Sequence, residues 1–242
     1  MNLSDRQAGL PAEHSASRLK TKLNKAHLNK LAQNIEHHQG IIGKDKYFNS
    51  SVLIPLIFLK DEYHFLFEKR ANNIRQGGEV SFPGGEFDSN KDKDFLDTAV
   101  RETIEEIGVT KEKIRIIGSM GTLVAPMGVT VDSFVGVLKI NNLNVLKIDE
   151  NEVERIFTIP VSYFSEIKPS EYFARLEVHT QKRSKDGGMI DMLPVKRLKL
   201  PKRYEKPWKG REHRILVYET NEETVWGITA ELVYEFCKLI DG

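Results

Sequence analysis

Apolar positions along this chain fall into short runs whose period changes from segment to segment. Residues 51–59 and 63–68 are nearly continuous apolar runs separated by Lys60-Asp61-Glu62, which predicts two strands joined by a tight turn. Residues 114–123 and 130–140 predict two more strands, 154–159 another, and 160–167 a short helix. Further strands are predicted near 172–180 and 214–219. Helical spacing marks three places. Leu19, Leu23, Leu28, Leu31 and Ile35 punctuate the polar residues 1–45 and predict one or two helices. Residues 94–107 form a second helical stretch with Phe95, Ala99 and Ile107 inward, closed by Gly108 as a C-terminal glycine. Residues 227–240 form a third, with Leu232, Val233, Phe236 and Ile240 on the core side. Strands interleaved with helices imply an α/β fold with a mixed sheet between helices. The expected organisation is a helical arm over 1–45 and one domain over 46–242 with an insert at about 170–214.

The chain has 242 residues, 40% hydrophobic and 29% charged, which suits one such domain with additions. Its single cysteine, Cys237, excludes an internal disulfide framework and fits a reducing compartment. It lies in the apolar pattern of the last helix, where a cysteine fills the core. The longest apolar run, residues 52–59, contains Pro55 and is too short to span a bilayer. With no apolar signal core near the N-terminus, the expectation is a cytoplasmic protein with no membrane partner. The net charge of +1 is unevenly spread. Residues 182–214 hold twelve Lys and Arg against four Asp and Glu, and residues 1–48 hold eight against four. The remainder therefore carries eleven net negative charges. An acidic body with a basic insert suits an anionic substrate held near metal-binding carboxylates.

The densest chemistry lies in Arg101-Glu102-Thr103-Ile104-Glu105-Glu106-Ile107-Gly108-Val109, preceded by the Gly-Gly turn expected in Phe82-Pro83-Gly84-Gly85. On a helix, Glu102 is three residues from Glu105 and four from Glu106, so the three acids share a face. Carboxylates that close repel unless a cation sits between them, and hard oxygen donors on a rigid helix suit Mg²⁺ or Mn²⁺. Such ions commonly serve phosphate chemistry.

This arrangement resembles the Nudix box, whose pattern ends R-E-hydrophobic-x-E-E-x-G-hydrophobic. Thr103 replaces an aliphatic residue, and the loop between Gly85 and the helix is about two residues longer than the common form. Asp92 or Asp94 could supply the box's first acid. Upstream, Leu66-Phe67-Glu68-Lys69-Arg70 and the following residues to Gly85 resemble the extra motif of the coenzyme A pyrophosphatase branch, roughly LLTxRSxxxRxxxGxVxFPGG. Arg70 and Arg75 stand at its two arginines, Ala71 replaces the serine, and two residues rather than three separate Arg75 from Gly78. Residues 122–136 and the segment Val225-Trp226-Gly227-Ile228-Thr229-Ala230 resemble other stretches of the same branch, with Met127 and Ser133 as departures.

The resemblance implies a Nudix-type α/β/α sandwich and a metal-dependent pyrophosphohydrolase that cleaves coenzyme A or its derivatives to 3′,5′-ADP and 4′-phosphopantetheine. It implies that Glu102, Glu105 and Glu106 bind Mg²⁺ or Mn²⁺, that Arg101 orients a carboxylate of the box, and that the general base comes from outside it, with Glu152 or Glu150 as candidates. Arg70 and Arg75 would grip phosphate oxygens through planar hydrogen bonds, beside Gly84 and Gly85. The partner is a small nucleotide-type molecule, and a homodimer is kept open. The alternatives are another nucleoside diphosphate derivative (ADP-ribose, a dinucleotide or capped RNA) or a non-catalytic nucleotide-binding module. Tyr204 and Trp208 among the lysines of the insert could stack a base, but nucleic acid is the lesser expectation. His37-His38 and His64 show no metal-ligand spacing and read as solvated or helix-end residues.

Overall fold

The structure, a computed structural model, describes residues 24–36, 40–126 and 128–241. Leu19, Leu23, His37-His38 and Met127 lie outside them. The chain divides into two compact units: Gly43–Ala174 with His213–Gly242, and the described residues before 43 with Arg175–Glu212.

In chain order the elements are α1 (Lys25–Glu36), β1 (Phe48–Leu59), β2 (Glu62–Arg70), β3 (Val80–Ser81), β4 (Gly84–Glu86), α2 (Phe95–Ile107), β5 (Ile114–Ala125), β6 (Val129–Leu138), β7 (Val153–Pro160), α3 (Val161–Glu166), β8 (Ser170–Ala174), β9 (Glu177–Val178), β10 (Gln181–Arg183), β11 (Met189–Asp191), β12 (Trp208–Lys209), β13 (His213–Glu219), β14 (Thr224–Trp226) and α4 (Gly227–Asp241). The larger unit is built on a mixed seven-stranded sheet, ordered β3-β2-β1-β6-β5, with β4 on β1 and β7 on β2. β1 and β6 run parallel, and the other pairs antiparallel. A three-stranded sheet, β14-β13-β8, completes it.

Strand periodicity explains why the sheet is covered on both faces. Ile54, Leu56, Phe65 and Phe67 face one way, onto Phe164 of α3 and Leu232, Val233 and Cys237 of α4. Ile57 and Leu66 face the other way, with Leu138 of β6, onto Ile107 of α2. Two-sided burial turns the expected strands into the continuous apolar runs seen in the sequence. The result is an α/β/α layering with a mixed sheet. Pro55 is in register with Gly136 of β6, but on the opposite edge of β1 it falls between two pairings: β4 holds Ser50–Val52 and β2 holds Leu56–Leu59.

Four local expectations change. The turn between β1 and β2 needs only Lys60 and Asp61, both at positive φ, and Glu62 already pairs with Leu59. Gly84-Gly85 is not a turn but strand β4, lying antiparallel on Val52 and Ser51. Neither glycine has positive φ; what each supplies is close approach. His64 is buried in β2, and its ring nitrogens have no hydrogen-bond partner among the described residues, so it is not solvated. Ile240 is 57% exposed, because the core face of α4 ends at Cys237; with Leu239 it lines a shallow apolar depression over Leu56 and Val135 instead.

The smaller unit contains α1, the hairpin β10–β11 and the ladder β9–β12. In it Tyr204 and Trp208 pack edge to face at 5.1 Å, with the Arg203 guanidinium over the Tyr204 ring. No helix among the described residues is long and apolar enough to cross a membrane.

Candidate active site

Helix α2 is fixed at both ends by its own sequence. Asp94 is the N-cap, its carboxylate accepting from the Asp97 amide at 2.9 Å. Gly108 stops the helix in the left-handed conformation with φ 66, and its amide closes on the Ile104 carbonyl. A side chain there would also strike the backbone of Lys147. Thr103, the departure from an aliphatic residue, is fully buried, and its hydroxyl donates to the Ala99 carbonyl at 2.6 Å.

The longer loop before α2 folds back on itself. The Asp88 carbonyl accepts from the amides of Lys91 and Asp92, which swings Asp92 over the helix. There Arg101 donates to it through two nitrogens, Nε to Oδ1 at 2.7 Å and Nη2 to Oδ2 at 2.9 Å. Thr98 and the Asp88 amide donate to the same carboxylate. The guanidinium of Arg101 holds the Asp92 carboxyl far below the usual aspartate range. Of the two aspartates that could stand for the first acid of the box, Asp92 pairs with the arginine and Asp94 caps the helix.

Arg101 uses its remaining nitrogen, Nη1, on Glu102 at 2.7 Å and Glu105 at 3.0 Å. The three helix acids then sit in three environments. Glu105 is turned outward, with 58% of its side chain exposed. Glu102 is mostly covered and pressed against Gly85, where any Cβ would overlap its carboxylate. Glu106 is buried, and its Oε2 accepts from the Gly84 amide at 2.8 Å. Burial, then the charge of Glu68, pushes the Glu106 carboxyl well above the ordinary glutamate range. Burial also raises Glu102, against the pull of Arg101.

Glu68 is the residue that sequence reasoning passed over. On β2 it shares the α2-facing side with Leu66 and Arg70, so the alternation of that strand was the available signal. Its side chain is fully buried; Oε1 accepts from the Ser81 hydroxyl at 2.9 Å. Arg70 Nη1 lies between two acids, 3.6 Å from Glu68 and 3.8 Å from Glu106. Glu152 is exposed, its backbone carbonyl accepts from the Ala71 amide, and its charge is felt at both Glu68 and Glu102. Arg75 is not brought to the acids. It is exposed in the loop after Arg70, its guanidinium 5.2 Å from the centre of the Phe48 ring. Gly77 lets that loop close: a Cβ there would come within 2.6 Å of the Asn72 carbonyl oxygen.

A helix of acids, one of them seated on a backbone amide beside Gly84-Gly85, is the arrangement the sequence resemblance led one to look for. The family model described as the NUDIX domain matches residues 49–176, more than half of the chain and every acid and arginine just described. The chain belongs to the Nudix family. It is 27% identical over 195 residues to the uncharacterized Nudix hydrolase NudL of Photorhabdus laumondii, covering 79% of this chain and 84% of that one. It is 34% identical over 129 residues to Nudix hydrolase 3 of Caenorhabditis elegans, covering 52% and 53%. Among solved structures, the C. elegans Ap4A hydrolase binary complex superposes with a TM-score of 0.39 at 22% identity, over 47% of this chain and 80% of that one. The protein is a Nudix hydrolase, a pyrophosphatase.

Nudix hydrolases generally use divalent metal ions. The donor set fits such an ion: hard carboxylate oxygens, two of the acids buried, and a single arginine shared between those two. The set is not a finished cage, because no three acids or histidines among the described residues converge on one point.

Proposed function

We propose that this pyrophosphatase acts on the diphosphate of coenzyme A or its derivatives, releasing 3′,5′-ADP and 4′-phosphopantetheine. The observation that supports this reading is the place of Arg70. The motif resembling the coenzyme A branch folds so that its first arginine stands 3.8 Å from Glu106, beside the box rather than away from it. In hydrolysis the oxygen of water forms a bond to one phosphorus, the anhydride P–O bond breaks, and the bridging oxygen leaves on the other phosphate. The water proton goes to a base, for which Glu152 is our candidate; its exposed loop and its electrostatic reach to Glu68 and Glu102 support the choice. Arg70 offers its planar guanidinium to the phosphate oxygens. Arg101 is a positioning residue: it fixes Glu102 and Glu105, while the Gly84 amide fixes Glu106. Glu102 and Glu106, with Glu105 toward a second ion, would hold Mg²⁺ or Mn²⁺, whose charge neutralises phosphoryl oxygens.

A second reading keeps the chemistry and changes the substrate to another nucleoside diphosphate derivative. It is favoured by Arg75, whose backbone carbonyl accepts from Arg70 Nε while its guanidinium lies over Phe48. Initial rates on coenzyme A, ADP-ribose, NADH and capped RNA with Mg²⁺ or Mn²⁺ separate the two. The first reading expects the highest kcat/KM on coenzyme A or an acyl derivative; a higher value on any other member of the panel selects the second. Arg70→Ala is expected to raise KM for the preferred substrate on the order of tenfold, the value of one or two charge-assisted hydrogen bonds, with a smaller change in kcat. An unchanged KM would make Arg70 a counter-ion of Glu68 and Glu106 and nothing more.

A further inference from the structure

We infer that Glu68 is a further donor of the divalent-ion site, a carboxylate from β2 added to those of α2; the inference rests on the ion-dependent reading above. The acids of α2 do not carry it by themselves. The independent observation is the second oxygen of Glu68. Oε2 is buried and accepts no hydrogen bond among the described residues, while Oε1 takes the Ser81 hydroxyl. A buried acceptor left unpaired costs about 1–3 kcal/mol, so it calls for a partner.

The carboxylate of Glu68 lies near the acids of α2, whose charges bear on it and it on them. It projects from the α2-facing side of the sheet, and one nitrogen of Arg70 is flanked by Glu68 Oε1 and Glu106 Oε1. Two buried carboxyl groups share one guanidinium; with both ionised, as binding of an ion requires, they carry a negative charge that the cation would match. Glu68 also departs from the motif that Leu66-Phe67-Glu68-Lys69-Arg70 resembles, which has threonine at that position. Removing that acid should therefore weaken ion binding itself, apart from any effect on turnover.

The test is titration of the full-length chain with Mn²⁺, followed by the loss of the free-ion electron paramagnetic resonance signal, with no substrate present. Glu68→Gln is expected to raise the Mn²⁺ Kd about tenfold or more, at least the effect of losing a residue that supports a metal ligand. Ser81→Ala, which leaves the carboxylate in place, is expected to change Kd less than Glu68→Gln does. Circular dichroism checks folding, and Glu68→Thr, the residue of the resembling motif, repeats the measurement if the glutamine variant unfolds. Parent-like Mn²⁺ binding by a folded Glu68 variant overturns the inference and leaves the ion site on α2 standing. Failure of the parent chain to bind Mn²⁺ at millimolar concentration removes the ion-dependent reading and this inference with it.

Discussion

Glu106→Gln is expected to lower kcat a thousandfold or more, about 4 kcal/mol of lost transition-state stabilisation, while the fold persists. Glu106 is the most enclosed of the helix acids, with 2% exposure. It is also the one tied to the backbone that carries Gly84. The amide oxygen of glutamine can still accept from the Gly84 N–H, so the local geometry has a substitute. A neutral amide replaces a carboxyl that burial and Glu68 already hold toward its neutral form, so no desolvation penalty is added. The measurement is kcat on the preferred substrate at saturating Mg²⁺ beside a thermal unfolding curve. A rate within tenfold of the parent, from a variant that melts at the parent temperature, would reject Glu106 as an ion-holding acid.

Asp92→Ala is expected to cost about 3 kcal/mol of stability, the usual effect of breaking a buried ion pair from one side. That is about 10 °C in Tm for a chain of this size. The carboxylate receives two nitrogens of Arg101, the Thr98 hydroxyl and the Asp88 amide, and all lose their acceptor together. Arg101 would then be free to leave Glu102 and Glu105, so kcat/KM should also fall, about tenfold to a hundredfold. The pH dependence follows from the depressed carboxyl. An acid with a lowered folded pKa stabilises fully above its unfolded value of about 3.9 and loses that contribution as pH falls toward its own lower value. The gap in stability between parent and variant should therefore be constant near neutrality and close only in strong acid. A gap that is equally wide well below pH 3.9 would mean that the alanine acts through packing and not through charge.

Local signals were enough for α2 and its acids. The spacing of Phe95, Ala99 and Ile107, the stop at Gly108, and the sequence from Arg101 to Glu106 specify a helix and place carboxylates along it, because these properties depend on neighbours within one or two turns. They could not say that Glu105 turns out while Glu106 turns in, since that depends on which side of α2 meets β1 and β4. Nor could they choose between Asp92 and Asp94. Both lie in one polar loop, and only the fold of residues 88–92 brings one to Arg101 and leaves the other to cap the helix.

The chain by itself determined the long strands β1, β2, β5, β6, β7 and β13, the acidic helix and the motif at Arg70, because each is written in an apolar run, in a 3.6-residue period or in a short run of side chains. The tertiary structure alone decided that β2, which ends at Arg70 well before α2 begins at Phe95, would place a buried Glu68 and Arg70 against Glu106. It alone decided that Gly84-Gly85 would be a strand accommodating Glu102 and Glu106 and not a turn. The physical reason is that burial and pairing across a sheet depend on which segments become neighbours, and residue spacing along the chain carries no record of that.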